Sequence, residues 1–229
     1  MIIHRSPFAD VEIPDVTVTR RPVVAIIPTG DELVMPGETP RADQIIASNS
    51  YALAAMVEAE GAESRLLPIA RDTEEELFTV LSMAEGADLV VTIGGASVGD
   101  HDLVGRVAES MGMERAFYKI AMRPGKPLMA GRLRGIPMLG LPGNPVSSIV
   151  CGHLFLLPMV RALLGLGEHA PATRRALLAQ LVHGARRAVD EAERVLAATA
   201  LEERFPRPRH ARRRGARERR GLRLHRSEE

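Results

Sequence analysis

Short apolar runs alternate with amphipathic stretches along the first 166 positions. Val23-Val24-Ala25-Ile26-Ile27 is too short and too β-branched for a helix and reads as a buried strand. Residues 64–69, 89–93, 116–122, 128–130 and 138–141 read as further strands. Between them, Leu53, Met56 and Val57 recur at helical spacing in a helix predicted over Tyr51–Glu60. Ser48-Asn49-Ser50 supplies its N-cap candidates, and Gly61 stops it. Asp72-Thr73-Glu74-Glu75 has the spacing of a capping box, ahead of a stripe of Leu77, Val80, Leu81 and Ala84. Leu103, Val107 and Met111 mark another helical face. Asn144 is a good N-cap with Pro145 at N1, opening a helix to about Leu164 that Gly165 ends. Pro36, Gly37 and Pro40 break residues 34–46 into a loop.

Strand and helix in alternation predict an α/β fold of three layers, a mainly parallel sheet with helices on both faces. Residues 22–166 form this domain. Residues 1–21 read as a remnant of a preceding region, with Val11, Ile13, Val16 and Val18 able to form a short extended piece. Ligands of such sheets bind beyond the carboxyl ends of the strands. Four turns are expected there, at 29–32, 94–102, 123–127 and 142–145, all facing one crevice.

The second of these turns carries the clearest chemistry. Thr92-Ile93-Gly94-Gly95-Ala96-Ser97-Val98-Gly99-Asp100-His101-Asp102 passes from strand to helix. Backbone amides at such a turn bind anions, and paired glycines let a ligand approach the main chain. Asp100 is placed to cap the following helix, which puts Asp102 in its first turn. An acid beside a bound phosphate suits a bridging divalent ion.

Composition narrows the classes. With 45% hydrophobic residues the chain can bury a real core, but at 3% aromatics it has no stacking platforms for single-stranded nucleic acid. The single Cys151 lies in an apolar helical run and reads as a buried structural thiol in a reducing compartment. No apolar run is expected to reach membrane-spanning length, and the N-terminus is no signal peptide, so the expected location is cytoplasmic, without a membrane partner. A net charge of +1 hides an asymmetry: residues 171–229 hold 16 Arg, no Lys and 8 acids, leaving 14 basic and 21 acidic residues before them. Residues 167–229 read as an Arg-rich tail, helical in part over Ala176–Leu201 and disordered beyond about 204. An Arg run without aromatic interleaving argues against nucleic acid as a partner. All but two basic residues are Arg, and the two lysines, Lys119 and Lys126, fall on or beside the third turn.

Taken together, the turns resemble a family. Thr29-Gly30-Asp31-Glu32-Leu33, Ser48-Asn49-Ser50, Arg71-Asp72, the glycine stretch, Pro124-Gly125-Lys126-Pro127 and Leu141-Pro142-Gly143-Asn144-Pro145-Val146-Ser147 follow the order and spacing of the molybdopterin molybdenumtransferases. The resemblance covers about residues 20–166 and implies that family's molybdopterin-binding α/β domain. It implies that adenylylated molybdopterin and molybdate are the partners, that molybdate is inserted at the dithiolene with Mg²⁺ as cofactor, and that AMP leaves. By position it implies catalytic roles for Glu32, Asp72, Asp102, Lys119 and Lys126, with Asp72 and Asp102 on the metal. It implies substrate contacts from Thr29, Gly30, Gly94, Gly95, Ser97, Gly99, Asp100, Pro142, Asn144 and Pro145. A homo-oligomer is expected, a dimer or alternatively a trimer.

The sequence departs from the pattern in three places. Ile93 stands where the family usually has a hydroxyl residue, and Arg123 where lysine is common. Residues 167–229 do not resemble the family's C-terminal β-domain, and an Arg- and Ala-rich tail without Lys is what out-of-frame reading of GC-rich DNA produces. Resequencing the locus tests that expectation. Two other functions stay open at this stage: a molybdopterin adenylyltransferase, and a non-catalytic module that holds molybdopterin.

Overall fold

The computed structural model describes residues 18–95, 102–122 and 124–166. The segments read as an extension and a tail, and the predicted roles of Ser97, Gly99, Asp100 and Arg123, lie outside the described residues, except that Val18 is exposed and in no strand.

One six-stranded sheet carries the fold, in the order β4-β1-β5-β8-β7-β6. Its strands are β1 (Val23–Pro28), β4 (Glu63–Leu66), β5 (Leu89–Ile93), β6 (Met113–Tyr118), β7 (Met129–Leu133) and β8 (Ile136–Leu141). β4, β1, β5 and β8 run parallel, and β7 and β6 continue antiparallel at one edge. β2 (Leu33–Val34) and β3 (Ile45–Ile46) form a separate two-stranded parallel ribbon within the stretch expected to be a loop. Strands this short, one on each side of three breakers, leave no alternation to read.

The alternation of side chains across the strands builds two cores. Val24 and Ile26 of β1, with Leu89 and Val91 of β5, face α1 (Ser48–Ala59) and the long C-terminal helix. Ala25, Ile27 and Val90 face α2 (Glu74–Ser82) and α3 (Leu103–Ser110). Burial on both faces is why β1 and β5 read as unbroken apolar runs. This is the predicted three-layer α/β fold.

The C-terminal helix comprises α4 (Pro145–Cys151), a π-helical turn (Gly152–Leu156) and α5 (Leu157–Leu163). Pro158 lacks the N–H for an ordinary helical bond, and the wider turn ahead of it absorbs the defect. Gly165 ends the helix with φ 73°, Gly165 N–H donating to the Ala162 carbonyl and Leu166 N–H to the Arg161 carbonyl, a Schellman arrangement. Contrary to the sequence expectation, the run Pro145–Leu163 is long and apolar enough to cross a membrane by length and composition. It packs instead on the sheet, where Phe155, Leu156, Met159 and Val160 are core residues. Cys151 is buried beside them, as expected, and burial pushes its thiol up to about 12.

Several element ends shift from those predicted. α1 begins at Ser48, so Ser48-Asn49-Ser50 forms its first turn; the cap position is Ala47, and Ser50 Oγ donates back to the Ala47 carbonyl at 2.8 Å. Thr73 rather than Asp72 caps α2, accepting from Glu76 N–H. β4 ends at Leu66, three residues early. β6 lies at 113–118 rather than 116–122, because it carries a bulge between Arg115 and Phe117. β7 and β8 form a tight hairpin through Arg134 and Gly135, both at positive φ, as the hairpin turns that match strand twist require.

Candidate functional site

The registers place the four predicted turns, as far as they are described, at one edge of the sheet. Pro28 pairs with Ile93 and Ile93 with Leu141, so β1, β5 and β8 end level. β7 begins opposite Gly140, and Tyr118 at the end of β6 pairs with Met129. The turns that follow are stitched together by the main chain. Thr29 N–H donates to the Ile93 carbonyl at 2.9 Å, Gly94 N–H to Leu141 at 3.0 Å and Gly30 N–H to Ala70 at 3.1 Å.

Close approach explains the glycines. A Cβ on Gly94 would lie 2.6 Å from the Thr29 carbonyl oxygen, and one on Gly95 2.3 Å from Val104 Cγ2. Both have positive φ, 92° and 63°. Gly143 lies against Gly94 from the other side, where a Cβ would be 3.3 Å from its Cα. Asn144 Oδ1 accepts from Ser147 N–H at 3.2 Å, and Pro145 takes the first helical position, as predicted. Pro142 is buried, and its carbonyl accepts from Ser148 Oγ.

Charge is sorted along this edge. Asp31, Glu32 and Asp72 sit over β1 and β4; Lys119 and Lys126 sit in the β6–β7 hairpin loop. With strands about 4.8 Å apart, the three spacings from β1 to β7 separate the two charge groups by about 14 Å. The glycine turns and Asn144 lie between them.

At the acidic end Arg71 fixes the turn. Its guanidinium donates to the carbonyls of Asp31 at 3.0 Å and Leu33 at 2.9 Å, and more loosely to Gly30. Asp72 N–H donates to Asp31 Oδ1 at 3.0 Å. Burial first, then the charges of Asp31 and Glu32, raise the proton affinity of the Asp72 carboxyl. Glu32 folds its carboxylate over Gly30, where a Cβ would lie 2.4 Å from Oε2. The sequence reading placed Arg71 in a motif but not among the site residues. Its role depends on three carbonyls forty positions upstream, which only the folded chain brings to it.

At the basic end the hairpin loop is held by its main chain. Lys119 N–H donates to Leu128, and the Lys126 carbonyl accepts from both Ile120 and Leu128. Gly125 is buried at φ 113°, with no room for a Cβ beside Met122 and Cys151. Lys126 is exposed, and among the described residues no ion pair or hydrogen bond engages its ammonium. Lys119 has a positive φ of 67°, uncommon for a residue with a side chain.

Asp102 is placed differently from the sequence expectation. It is itself the N-cap of α3, its Oδ1 accepting from Gly105 N–H at 2.9 Å. Its other oxygen faces Arg115 at 3.5 Å, and the residue is 6% exposed. Oδ1 is thus committed to the helix cap, while the buried Oδ2 has no hydrogen-bond partner, Arg115 standing only at ion-pair distance. Among the described residues no three His, Cys, Asp or Glu side chains gather to hold an ion. Mg²⁺ needs only one or two carboxylates when it is shared with phosphates. Asp72, exposed and crowded by acids, fits that demand, and so does the one Asp102 oxygen left without a hydrogen bond. Asp102→Ala is expected to cost about 2 kcal/mol of stability, through the lost cap and the loss of one of Arg115's two acidic partners. Asp102→Asn keeps a capping oxygen and is expected to cost about half as much. Urea unfolding measures both, and equal losses would show that the cap contributes nothing.

A partly open pocket of about 200 Å³ is elsewhere. It lies among Leu81, Val90, Met111, Leu133 and Ile136, near the β7–β8 hairpin at the opposite edge of the sheet.

Comparison with known proteins gives a consistent picture. A family described as "Probable molybdopterin binding domain" matches residues 25–162. A molybdopterin molybdenumtransferase of Nostoc sp. is 43% identical over 159 residues, covering 68% of this chain and 36% of that protein. Molybdopterin molybdenumtransferase 2 of Mycobacterium tuberculosis is 37% identical over 170 residues, covering 72% and 42%. The crystal structure of a molybdopterin biosynthesis moeA protein from Pyrococcus horikoshii matches with a TM-score of 0.59 and 37% identity, over 64% of this chain and 36% of that one. The chain thus spans about two fifths of the length of these relatives.

Proposed function

The chain belongs to the molybdopterin-binding domain family, in its molybdenumtransferase branch, and from that premise we propose that its glycine-lined sheet edge binds adenylylated molybdopterin for the insertion of molybdate. The observation that carries the reading is the order of groups along the edge: acids, then glycine turns, then lysines.

An elongated ligand with a central pyrophosphate suits that order. Gly94 and Gly95 let its phosphates approach the backbone, where a side chain at either position would collide. Lys119 and Lys126 neutralise anionic oxygens, on the pyrophosphate or on the incoming molybdate, as compact point charges. Asp72, with its raised proton affinity, and Glu32 orient the water that cuts the pyrophosphate and frees AMP. Mg²⁺ belongs to this scheme as a partner of the phosphates with Asp72 as its carboxylate, and it would supply charge neutralisation. The assembly proposed is a homo-oligomer, a dimer or alternatively a trimer, which sedimentation distinguishes.

The test is to incubate the protein with adenylylated molybdopterin, Mg²⁺ and molybdate and to measure AMP. Molybdate-dependent release is expected. Adenylylation of molybdopterin from ATP, or tight binding without turnover, would replace the proposal with one of the two other functions.

Lys126→Arg keeps the charge but substitutes a wide planar fork for a point charge. It is expected to lower turnover or ligand affinity by about tenfold or more, with thermal unfolding unchanged. Wild-type values in the variant would show that only the charge matters there.

A further inference from the structure

Among the described residues, β6 is the one strand of the sheet whose register breaks. Arg115 pairs with Gly131, Phe117 with Ala130 and Tyr118 with Met129, so Ala116 is an extra residue. In a regular strand, residues 115 and 118 would point to opposite faces. The inserted residue restores them to one face, the face packed on α3. Phe117 goes to the other core, and Tyr118 packs with the α2–α3 core.

The consequence is a short chain of charged and aromatic groups. Asp102, the cap of the helix that follows the glycine turn, faces Arg115. Arg115 also pairs with Glu109 at 2.8 Å, which anchors it to α3. The Arg115 guanidinium carbon lies 5.1 Å from the centre of the Tyr118 ring, and the Lys119 ammonium 4.7 Å from it. Both are within cation–π range. Lys119 meanwhile holds a left-handed backbone that bulky residues avoid. A flexible four-carbon stem has no fixed direction of its own, so something must hold its end.

We propose that Tyr118 is a positioning residue that holds the Lys119 ammonium at the ligand edge, and that the bulge at Ala116 exists to put its ring between Arg115 and Lys119. Through Arg115 and Asp102 the same ring ties the lysine to the helix after the glycine turn. The inference rests on the reading of Lys119 as an anion-binding group of the proposed site.

Because the chain has only two lysines, both can be watched directly. Reductive methylation with ¹³C-formaldehyde gives one side-chain resonance for Lys119 and one for Lys126, assigned by Lys119→Arg and Lys126→Arg. An upfield ring-current shift is expected for Lys119 and not for Lys126. Tyr118→Phe keeps the ring and should keep the shift; Tyr118→Leu should abolish it. Affinity of the unmethylated full chain for inorganic pyrophosphate is the second readout. It should fall about tenfold in Tyr118→Leu and in Lys119→Ala, and stay within twofold of wild type in Tyr118→Phe. Unfolding temperature is measured alongside, and the comparison of Phe with Leu removes effects common to both. If Lys119→Ala binds pyrophosphate as wild type does, the site reading itself is wrong and the inference falls with it. If Lys119→Ala weakens binding while Tyr118→Leu does not, or if the upfield shift survives in Tyr118→Leu, the site stands and the positioning role is overturned.

Discussion

Gly94→Ala is expected to lower the unfolding free energy by about 3 kcal/mol, and the Tm by roughly 10 °C. Two costs combine. Gly94 has a φ of 92°, a conformation that an L side chain resists. Its Cβ would also stand 2.6 Å from the Thr29 main-chain oxygen, which cannot move alone because Thr29 N–H is bonded to Ile93. Relief therefore means separating the ends of β1 and β5, and the bonds from Gly94 to Leu141 and from Thr29 to Ile93 are lost together. Gly37→Ala is the internal control. Gly37 has a similar φ of 98° but open space where its Cβ would be, so about 1 kcal/mol is expected. Ligand binding should be lost in Gly94→Ala and kept in Gly37→Ala. Equal destabilisation of the two would mean that the close approach at the sheet edge contributes nothing.

Asp72→Asn is expected to do the opposite to stability while removing most activity. Burial, Asp31 and Glu32 raise the proton affinity of the folded-state carboxyl. A carboxyl of raised pKa adds stability at pH below its unfolded value, and that contribution is lost as pH rises through the folded value. Near neutral pH the ionised Asp72 is therefore a small net cost. The asparagine variant should be as stable as wild type or slightly more so at pH 7, and this advantage should vanish by about pH 3. Turnover should fall on the order of 100-fold, because the amide can neither take a proton nor meet a cation. A variant less stable at neutral pH than at acid pH, relative to wild type, would contradict the electrostatic account; full turnover would remove Asp72 from the chemistry. Sites that hold unfavourable charge in readiness are where stability and activity separate in this way.

How much of this was legible in the sequence depended on where each signal is encoded. β1 and β5 are buried on both faces, so Val23–Ile27 and Leu89–Ile93 announce themselves as apolar runs. The common edge followed from them, because in a parallel sheet the turns after the strands must share a side. Asn144 and Pro145 were readable because capping is written in adjacent residues. β6 was not: Glu114 and Arg115 make its start look polar, and the bulge breaks the period that would reveal it. The caps of α2 and α3 were each misplaced, one by a single residue and the other by two. Asp72-Thr73 and Asp100–Asp102 both offer two capping side chains, and only the path of the incoming chain chooses between them. That choice has chemical weight. It frees the Asp72 side chain for the site and commits Asp102 to Arg115 and the helix. Arg71 and Tyr118 act through partners distant in sequence or displaced by the bulge, which local patterns do not carry.

The central claim is that the glycine-lined sheet edge, and not the partly open pocket at the opposite edge, is where the molybdopterin ligand binds. Amide ¹H–¹⁵N spectra recorded during titration with adenylylated molybdopterin test it most directly. The account predicts that the largest shifts fall on Gly30, Gly94, Gly95, Gly125 and Gly143, with Leu81, Met111 and Leu133 unmoved. Shifts concentrated on Leu81, Met111 and Leu133, with those glycines unaffected, would contradict it.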